Sequence, residues 1–421
     1  MAKSDVLKNI SLLSSGTVLA QLIPLLFAPW IARIFDAKSF GEFAAIMGIL
    51  NILSVIVNGR YELAVVLPKK VSQARALIIG TWGIGLIISV TILALLNLFK
   101  QEISSYFEIA FTFFDSILVF VCLIGIAFWQ PMNYFFIREK QYLKMTYNKF
   151  AKSISTVFFT ILVGVYFADS KLNGLVIGMC LGWVFIGIFT FWQGVTPIVR
   201  DFVNLKEVTS SQLREYVNYP KFNAVPAVLN SLASQLGLYV FVYYFSTEIA
   251  GHYSFSKQYL YVPLSILGVS LSQVYFQRMS EKFKNKQSVI KELKILFAVL
   301  ASLSTIVCLV VVFFSVELFD FIFGSEWLLS ASISKKLVFA FGIQFMVSPL
   351  SMILHAINQV KLASIFPIVY LISMLLLFSF GNKELDGFVT NYVIAEVVPY
   401  LIYLGLIIFA VVQYERRLIN M

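Results

Sequence analysis

Two residues of opposite charge, Arg60 and Glu62, lie inside an apolar stretch, residues 41–67, that is long enough to cross a lipid bilayer. An ionised side chain at bilayer depth costs at least ~2.5–3.5 kcal/mol, so it usually faces a protein interior or a water-filled cavity. On a continuous helix, residues two positions apart point in directions about 200° apart, so we expect each of the two to have its own partner. The guanidinium is a candidate for binding an anion, and the carboxylate is a candidate for pairing or for carrying a proton.

Three further ionisable residues lie within apolar stretches: Lys257, Glu396 and His355. Lys257 is a second candidate for anion binding. Both Lys257 and Arg60 have an alternative interpretation, in which the apolar stem stays in the membrane and the charged head reaches the interface. Glu396 is a candidate for ion coupling or for pairing with a cation, and His355 is either part of the same chemistry or a polar residue satisfied by its neighbours.

Polar residues recur at helical spacing in several apolar stretches, which places them on one face of each helix. Such a face predicts either helix–helix packing through small and amide side chains or a water-filled path through the protein. The amide residues that we consider as cavity-lining candidates are Gln21, Asn223, Asn230, Gln258, Gln344 and Asn358.

The composition excludes a soluble globular protein. Of 421 residues, 59% are hydrophobic and 13% are charged, and the mean hydropathy is +0.86. Long continuous apolar runs predict membrane-spanning helices rather than the short alternating segments of a β-barrel. We therefore predict an all-α polytopic membrane protein with about twelve spans, near residues 11–33, 41–67, 76–97, 112–137, 152–168, 172–193, 218–245, 250–276, 295–316, 332–357, 361–381 and 387–412.

The basic residues are distributed unequally between the predicted loops. Most of the 32 Lys and Arg residues fall on one side of the predicted topology, which the positive-inside rule assigns to the cytoplasm together with both termini. The net charge of +10 is thus explained by membrane insertion and does not indicate a nucleic-acid partner. Because Cys122, Cys180 and Cys308 lie within spans, we expect neither a disulfide framework nor a metal site.

The chain shows signs of an internal duplication. The longest gap between apolar runs divides it into residues 1–195, a cytoplasmic linker at 196–217 and residues 218–421, with six predicted spans in each half. An even number of spans gives the halves the same orientation in the membrane. Residues 35–43 and 245–253 also resemble each other, at an offset of 210 residues.

Several motifs resemble those of Wzx-type polysaccharide repeat-unit flippases. The run Gly59–Lys69, with the sequence GRYELAVVLPK, is similar to the end of their second span, and Tyr219–Asn223 is similar to the start of their seventh. The stretches Ala250–Ser254 and Pro263–Ser280 extend the resemblance through the eighth span. One departure is that members of this family often carry an Arg in the eighth span before the proline, where this chain has Lys257 and Gln258.

The resemblance implies the MATE-like fold of the multidrug/oligosaccharidyl-lipid/polysaccharide (MOP) exporter superfamily, with two six-helix lobes around a central cavity. It also implies that the chain moves an undecaprenyl-diphosphate-linked oligosaccharide from the cytoplasmic to the periplasmic leaflet of the inner membrane, for O-antigen or other lipopolysaccharide biosynthesis. Arg60 and Lys257 would then contact the diphosphate, and the amide residues the sugars. The expected transport is by alternating access, without a cofactor and coupled to H⁺ or Na⁺. Membrane lipids, a polysaccharide polymerase and a chain-length regulator are the expected partners.

Two other functions compete with this expectation. A drug or cation antiporter of the same fold would favour acidic residues in its cavity, and Arg60 and Lys257 argue against it. A membrane-embedded polysaccharide polymerase or glycosyltransferase would carry catalytic residues on a sizeable outer loop, and the predicted outer loops are short. Since the sequence contains no phosphate-binding glycine loop, metal-ligand cluster or nucleophilic triad, we expect a transporter and not an enzyme.

Overall fold

The computed structural model describes residues 16–166, 173–199, 202–380 and 384–419, and within these ranges the regular elements are helices. Two short 3₁₀ helices, Tyr61–Val66 and Ser325–Trp327, accompany the α-helices. The α-helices, labelled α1 to α16 in chain order, are Gly16–Ile34 (interrupted at Phe27), Ala37–Ser54, Val71–Leu98, Lys100–Phe107, Phe113–Arg138, Tyr142–Tyr166, Gly174–Val199, Phe202–Glu215, Asn218–Tyr244, Thr247–Lys284, Ile290–Phe323, Leu328–Leu350, Met352–Ala356, Val360–Ala363, Ile365–Phe380 and Leu385–Ile419. The predicted all-α class is confirmed.

Most of the predicted spans have a matching helix. In the part of the chain that the structure describes, ten helical segments are long and apolar enough to cross a membrane. The other two predicted spans correspond to α2 and α10, which carry more polar residues. One predicted boundary is wrong: the span placed at 152–168 belongs to α6, which begins at Tyr142. Lys149 and Lys152, which the predicted topology counts among the cytoplasmic basic residues, therefore lie well inside a helix.

The predicted continuous span at residues 41–67 is also wrong. Helix α2 ends at Ser54, and the 3₁₀ helix begins at Tyr61. Between them, Gly59 and Arg60 both adopt left-handed backbone conformations, with φ of 57° and 64°. Glycine does so without steric cost, whereas the left-handed conformation costs a residue with a side chain about 1–2 kcal/mol. After Ser54 the chain forms turns, and the two successive left-handed residues keep a right-handed helix from continuing through the predicted span.

The two segments that resemble each other in sequence have the same local structure. Helices α2 and α10 begin at Ala37 and Thr247, which are 247 − 37 = 210 positions apart. Each is preceded by a residue whose side chain caps the helix. Asp36 accepts a hydrogen bond from the Ser39 backbone N–H at 2.7 Å, and Ser246 accepts one from the Ile249 N–H at 3.2 Å. The predicted offset therefore relates equivalent helix starts.

The chain forms two compact units, residues 1–235 and 236–421, and the boundary between them falls within α9. In the first unit, buried side chains from the 3₁₀ helix, α3, α5 and α6 form one apolar core, which includes Tyr61, Leu77, Met132 and Met145. Part of the segment predicted as a linker is helical, since α8 packs on α3 and Thr209 donates to the Ala76 carbonyl at 3.2 Å. The division at 195 and 218 stays a prediction.

Aromatic stacking dominates the core of the second unit. Phe255 of α10 stacks on Trp327 with ring centroids 3.6 Å apart, and Phe241 of α9 stacks on Tyr253 at 4.3 Å. Such pairs bury a large area and fix the relative rotation of the helices that carry them. They hold α10 in the orientation that places Lys257, one turn after Tyr253, beside the polar groups described below.

Candidate functional site

The helix break between α2 and the 3₁₀ helix brings Arg60 and Glu62 together. Arg60 Nη1 lies 3.4 Å from Glu62 Oε1, and the exposed fractions of the two side chains are 23% and 3%. The expectation that each needs its own partner is therefore wrong. It assumed a continuous helix, and the left-handed backbone at Arg60 turns the guanidinium toward the carboxylate two positions later. The pair is a partly accessible cation held by a buried anion.

Amide side chains fix the ends of the break. Asn58 donates to Gln130 Oε1 at 3.0 Å, and Gln130 donates to the Ser54 carbonyl at 3.3 Å. Gln130 thus fastens the frayed end of α2 to α5. On the other side, the Tyr61 hydroxyl donates to the Leu213 carbonyl of α8 at 3.1 Å. These contacts from two neighbouring helices hold a backbone geometry that would otherwise be strained.

Three buried polar atoms at the break lack a hydrogen-bond partner among the described residues: Asn58 Oδ1, Arg60 Nε and Glu62 Oε2. Asn58 and Glu62 are buried, at 0% and 2% exposed, whereas Arg60 is partly exposed. Leaving a buried donor or acceptor unpaired costs about 1–3 kcal/mol. The break therefore offers unused donor and acceptor capacity next to a cation, as expected for a binding site.

A second polar cluster lies in the second unit. The Glu396 carboxylate on α16 is 3% exposed and accepts hydrogen bonds from Tyr370 at 2.9 Å and from Tyr392 at 2.6 Å. The Tyr392 hydroxyl also contacts the Tyr253 hydroxyl of α10 at 2.7 Å. The Lys257 ammonium, 5.8 Å from the centroid of the Tyr253 ring, interacts electrostatically with Glu396. Two of the predicted site residues, Lys257 and Glu396, are therefore brought together.

One predicted amide joins this second cluster. Gln344 on α12 donates to the Tyr261 hydroxyl at 3.0 Å, and Tyr261 lies one turn beyond Lys257 on α10 and interacts with it. Gln258, the neighbour of Lys257, is only partly buried. This cluster in the second unit thus combines one cation, one carboxylate, an amide and several phenols.

The remaining predicted residues are not part of either cluster. The polar side chains Gln21, Asn223, Asn230, His355 and Asn358 are all exposed. Asn358 follows the short helix α13 with a φ of 58°. Exposed amides on helices of this length and hydropathy are stable where they meet water and costly where they meet lipid.

Sequence reasoning missed two basic residues on α6. The Lys149 ammonium donates to Thr17 Oγ1 at 2.6 Å. The Lys152 ammonium lies 3.5 Å from the Trp183 ring centroid and 5.7 Å from that of Trp129, a cation–π arrangement. Both lysines had been assigned to a cytoplasmic loop. The signal for a longer helix was their spacing among the apolar residues that precede position 152.

The tyrosines of the second cluster were missed for another reason. Tyrosine is enriched at membrane interfaces, so composition alone does not single out Tyr253, Tyr370 and Tyr392 as members of a cluster. Their hydroxyls instead meet around one carboxylate. A charged residue such as Glu396 in an apolar span requires donors, and this requirement was the available signal. Among the described residues, no group of three His, Cys, Asp or Glu is placed to hold a metal ion.

Comparisons with known proteins identify the fold. The structure of the lipid II flippase MurJ in an inward closed conformation has a TM-score of 0.71 and 15% identity, over 97% of this chain and 92% of that one. The structure of an inward-facing multidrug resistance MATE family transporter of the MOP superfamily has a TM-score of 0.68 and 14% identity, over 94% of this chain and 96% of that one. A third structure is that of a MOP superfamily transporter from Pyrococcus furiosus, which is described as having a binding pocket of reverse polarity. It has a TM-score of 0.56 and 16% identity, over 98% of this chain and 95% of that one.

These likenesses establish the fold, an all-α polytopic membrane protein of the MOP type, and confirm the predicted class. A search of curated proteins found no match. The model of one family, described as "Polysaccharide biosynthesis protein", matches residues 30–332. Because this match covers well over half of the chain and includes both Arg60 and Lys257, the chain belongs to the polysaccharide biosynthesis protein family.

Proposed function

We propose that this chain is a flippase that moves undecaprenyl-diphosphate-linked oligosaccharides from the cytoplasmic to the periplasmic leaflet. The observation that carries the proposal is Arg60, a cation held in a helix break within an apolar segment of a polysaccharide biosynthesis protein. A diphosphate is the anionic part of such a substrate, and a guanidinium binds phosphate oxygens through paired hydrogen bonds. The Arg60 side chain is 23% exposed, and its buried Nε lacks a hydrogen-bond partner among the described residues.

The rest of the substrate has matching chemistry. Sugars need amide and hydroxyl partners, which the exposed residues Gln21, Asn223 and Asn230 offer on helices long enough to span the membrane. The polyprenyl tail needs only contact with the surrounding membrane lipids. Lys257 supplies a second cation for the diphosphate, and Glu62 and Glu396 are the carboxylates available for coupling to H⁺ or Na⁺.

The cellular setting is part of the same proposal. The chain would lie in the inner membrane with both termini in the cytoplasm, as the positive-inside distribution of its Lys and Arg residues indicates. A cytoplasmically assembled lipid-linked repeat unit would be its substrate. A polymerase and a chain-length regulator would act on the product in the periplasm.

The direct test is depletion of the protein in its native host. The expected result is that the undecaprenyl-diphosphate-linked repeat unit accumulates in the cytoplasmic leaflet, where a membrane-impermeant glycosidase or lectin cannot reach it in spheroplasts. Lysed membranes provide the control, since the same reagent then reaches both leaflets. Accumulation in the periplasmic leaflet would instead place the block after translocation and contradict a flippase.

The depletion strain and the purified protein together distinguish a flippase from the two competing functions. A drug antiporter predicts increased sensitivity to cationic drugs on depletion, with a normal distribution of the lipid-linked sugar. A polymerase or glycosyltransferase predicts new glycosidic bonds when the purified protein is incubated with lipid-linked acceptor. The likeness to a MATE family transporter concerns the fold alone, so these measurements and not the fold decide.

A further inference from the structure

The Glu396 carboxylate is hydrogen-bonded to a chain of tyrosine hydroxyl groups. Its Oε1 accepts from Tyr370 at 2.9 Å and from Tyr392 at 2.6 Å, and the Tyr392 hydroxyl is 2.7 Å from that of Tyr253. Phenolic donors to a buried carboxylate stabilise its charged form. The Glu396 carboxylate thus accepts two phenolic hydrogen bonds while it is shielded from solvent.

The other end of the chain is Lys257. Its ammonium lies over the Tyr253 ring, 5.8 Å from the centroid, and interacts with the Tyr253 hydroxyl and with Glu396. Among the described ion pairs within 4.0 Å, none involves Lys257. The cation and the anion therefore balance each other through two tyrosines on α10 and α16 and not through direct contact.

The packing around the two central hydroxyls shows that the chain is specifically accommodated. A Cβ on Gly237 of α9 would lie 2.6 Å from both the Tyr253 and the Tyr392 hydroxyl oxygens. Any larger residue at this position would separate the hydroxyls or displace the helix. The absence of a side chain at Gly237 is thus what allows Lys257 and Glu396 to be connected.

We propose that Glu396 is the internal counter-ion of Lys257, and that the diphosphate of the substrate competes with Glu396 for this lysine. The inference rests on the proposed function and gives Glu396 a role there as a positioning residue. A partly buried cation inside a membrane-spanning helix needs a compensating anion, because an unpaired charge in a low-dielectric interior is costly. Glu396 meets this need when the substrate is absent. An indirect link through hydroxyls leaves the ammonium free to turn toward an incoming phosphate.

The proposal predicts opposite effects of the two charges on substrate affinity. The purified protein in nanodiscs is titrated with undecaprenyl diphosphate, and binding is followed by intrinsic tryptophan fluorescence or by isothermal titration calorimetry. Glu396→Gln removes the competing anion but can still accept from the tyrosines, so affinity should rise about tenfold, or 1.4 kcal/mol. Lys257→Gln should lower the affinity by a similar factor. The exposed Glu317 provides a matched control, Glu317→Gln, that should change nothing.

A double variant separates competition from a general effect of charge. If Glu396 acts only through Lys257, then Lys257→Gln/Glu396→Gln should bind as weakly as Lys257→Gln alone. A gain from Glu396→Gln that persists without Lys257 would overturn the proposal. Tyr392→Phe interrupts the hydroxyl chain with both charges kept and should raise affinity by a smaller factor, whereas the control Tyr414→Phe should not.

The outcomes also distinguish this inference from the proposed function. If the wild-type protein binds and translocates the lipid diphosphate, but Glu396→Gln leaves binding unchanged or weakens it, the counter-ion role is wrong and the flippase stands. If the wild-type protein binds undecaprenyl diphosphate no better than undecaprenol and moves no lipid-linked sugar, both proposals fail.

Discussion

At the scale of single residues, the left-handed conformation of Arg60 is the least expected property of the chain. With a φ of 64° it occupies a backbone region that favours glycine. Strained residues of this kind persist when their surroundings impose them, and here Gln130 and Tyr61 hold the two ends of the break. Because the chain has an arginine at a backbone position that suits glycine, we expect the guanidinium to be needed for function.

This argument predicts the behaviour of Arg60→Gly. Glycine adopts the left-handed conformation without a steric penalty of about 1–2 kcal/mol, but it also removes the cation beside the buried Glu62 carboxylate. Because these two effects oppose each other, we expect the variant to fold with no net gain in stability. It lacks the cation, so translocation of the lipid-linked oligosaccharide should be lost. The measurements are membrane abundance, thermal stability in detergent and complementation of polysaccharide display.

Two companion variants show whether the effect of Arg60→Gly is specific to the guanidinium. Lys69→Ala removes an exposed cation on the same loop and should leave translocation intact. Arg60→Lys keeps the charge without the planar guanidinium and should retain only part of the activity. Full activity of Arg60→Gly at normal abundance would exclude Arg60 from diphosphate binding.

Lys152 poses a different residue-scale question, because its cation lies against indole rings rather than a carboxylate. The ammonium is 3.5 Å from the Trp183 ring centroid. We expect a coupling of about 1–2 kcal/mol between the two side chains, at the upper end for a desolvated cation–π contact. A double-mutant cycle with Lys152→Met and Trp183→Leu, read by thermal or denaturant unfolding, measures it. Additive effects of the two substitutions would show that the contact contributes nothing.

At the scale of helices, close contact in the first unit depends on residues without side chains. A Cβ on Gly187 of α7 would lie 2.8 Å from Gly125 Cα and 3.2 Å from the Gly125 carbonyl oxygen on α5. Both neighbours are backbone atoms, which cannot move without shifting a helix. In membranes, small residues at such contacts allow van der Waals packing that replaces the missing hydrophobic driving force.

Gly187→Ala should therefore destabilise the first unit by about 1–3 kcal/mol, the usual cost of overpacking. The matched control is Gly83→Ala on α3, where an added Cβ would meet nothing within 4 Å. This control should be neutral or stabilising by up to about 1 kcal/mol, since alanine is the better helix former. Thermal unfolding in one detergent compares them, and equal melting temperatures for the two variants would contradict the packing argument.

The positions of the helices could be predicted from the sequence wherever hydropathy alone determines them. A run such as 295–316 contains no charge and gives α11 directly, although the helix extends further at both ends. The failures occurred where local backbone or side-chain chemistry overrides hydropathy. Gly59 and Arg60 adopt left-handed conformations inside an apolar run and interrupt the predicted span, and Lys149 and Lys152 belong to a helix despite their charge.

The clusters were less predictable than the helices. Charge in an apolar span singled out Lys257 and Glu396, but their proximity depends on how α10 and α16 rotate against each other. Periodicity gives the face of a helix and not its partner. The tyrosine hydroxyls that connect these two residues could therefore be located only once the helices were packed.

At the scale of the whole molecule, the fold and family follow from the comparisons, whereas the topology in the membrane is still a prediction. The relative orientation of the two halves in the membrane depends on α8, Phe202–Glu215, a polar helix of 14 residues. A span requires about 20 mostly apolar residues, so α8 should lie outside the bilayer. Six predicted spans then separate position 69 from position 285, and five separate position 108 from position 285.

Accessibility of single cysteines tests this topology without any assumption about function. In a background that lacks Cys122, Cys180 and Cys308, the exposed positions Lys69, Glu108 and Asn285 are changed to cysteine one at a time. A membrane-impermeant maleimide should label Glu108→Cys in intact spheroplasts, and should label Lys69→Cys and Asn285→Cys only after lysis, because an even number of spans places these two in the cytoplasm. If α8 crossed the membrane, Lys69→Cys and Asn285→Cys would differ in their labelling, and the two halves of the chain would have opposite orientations.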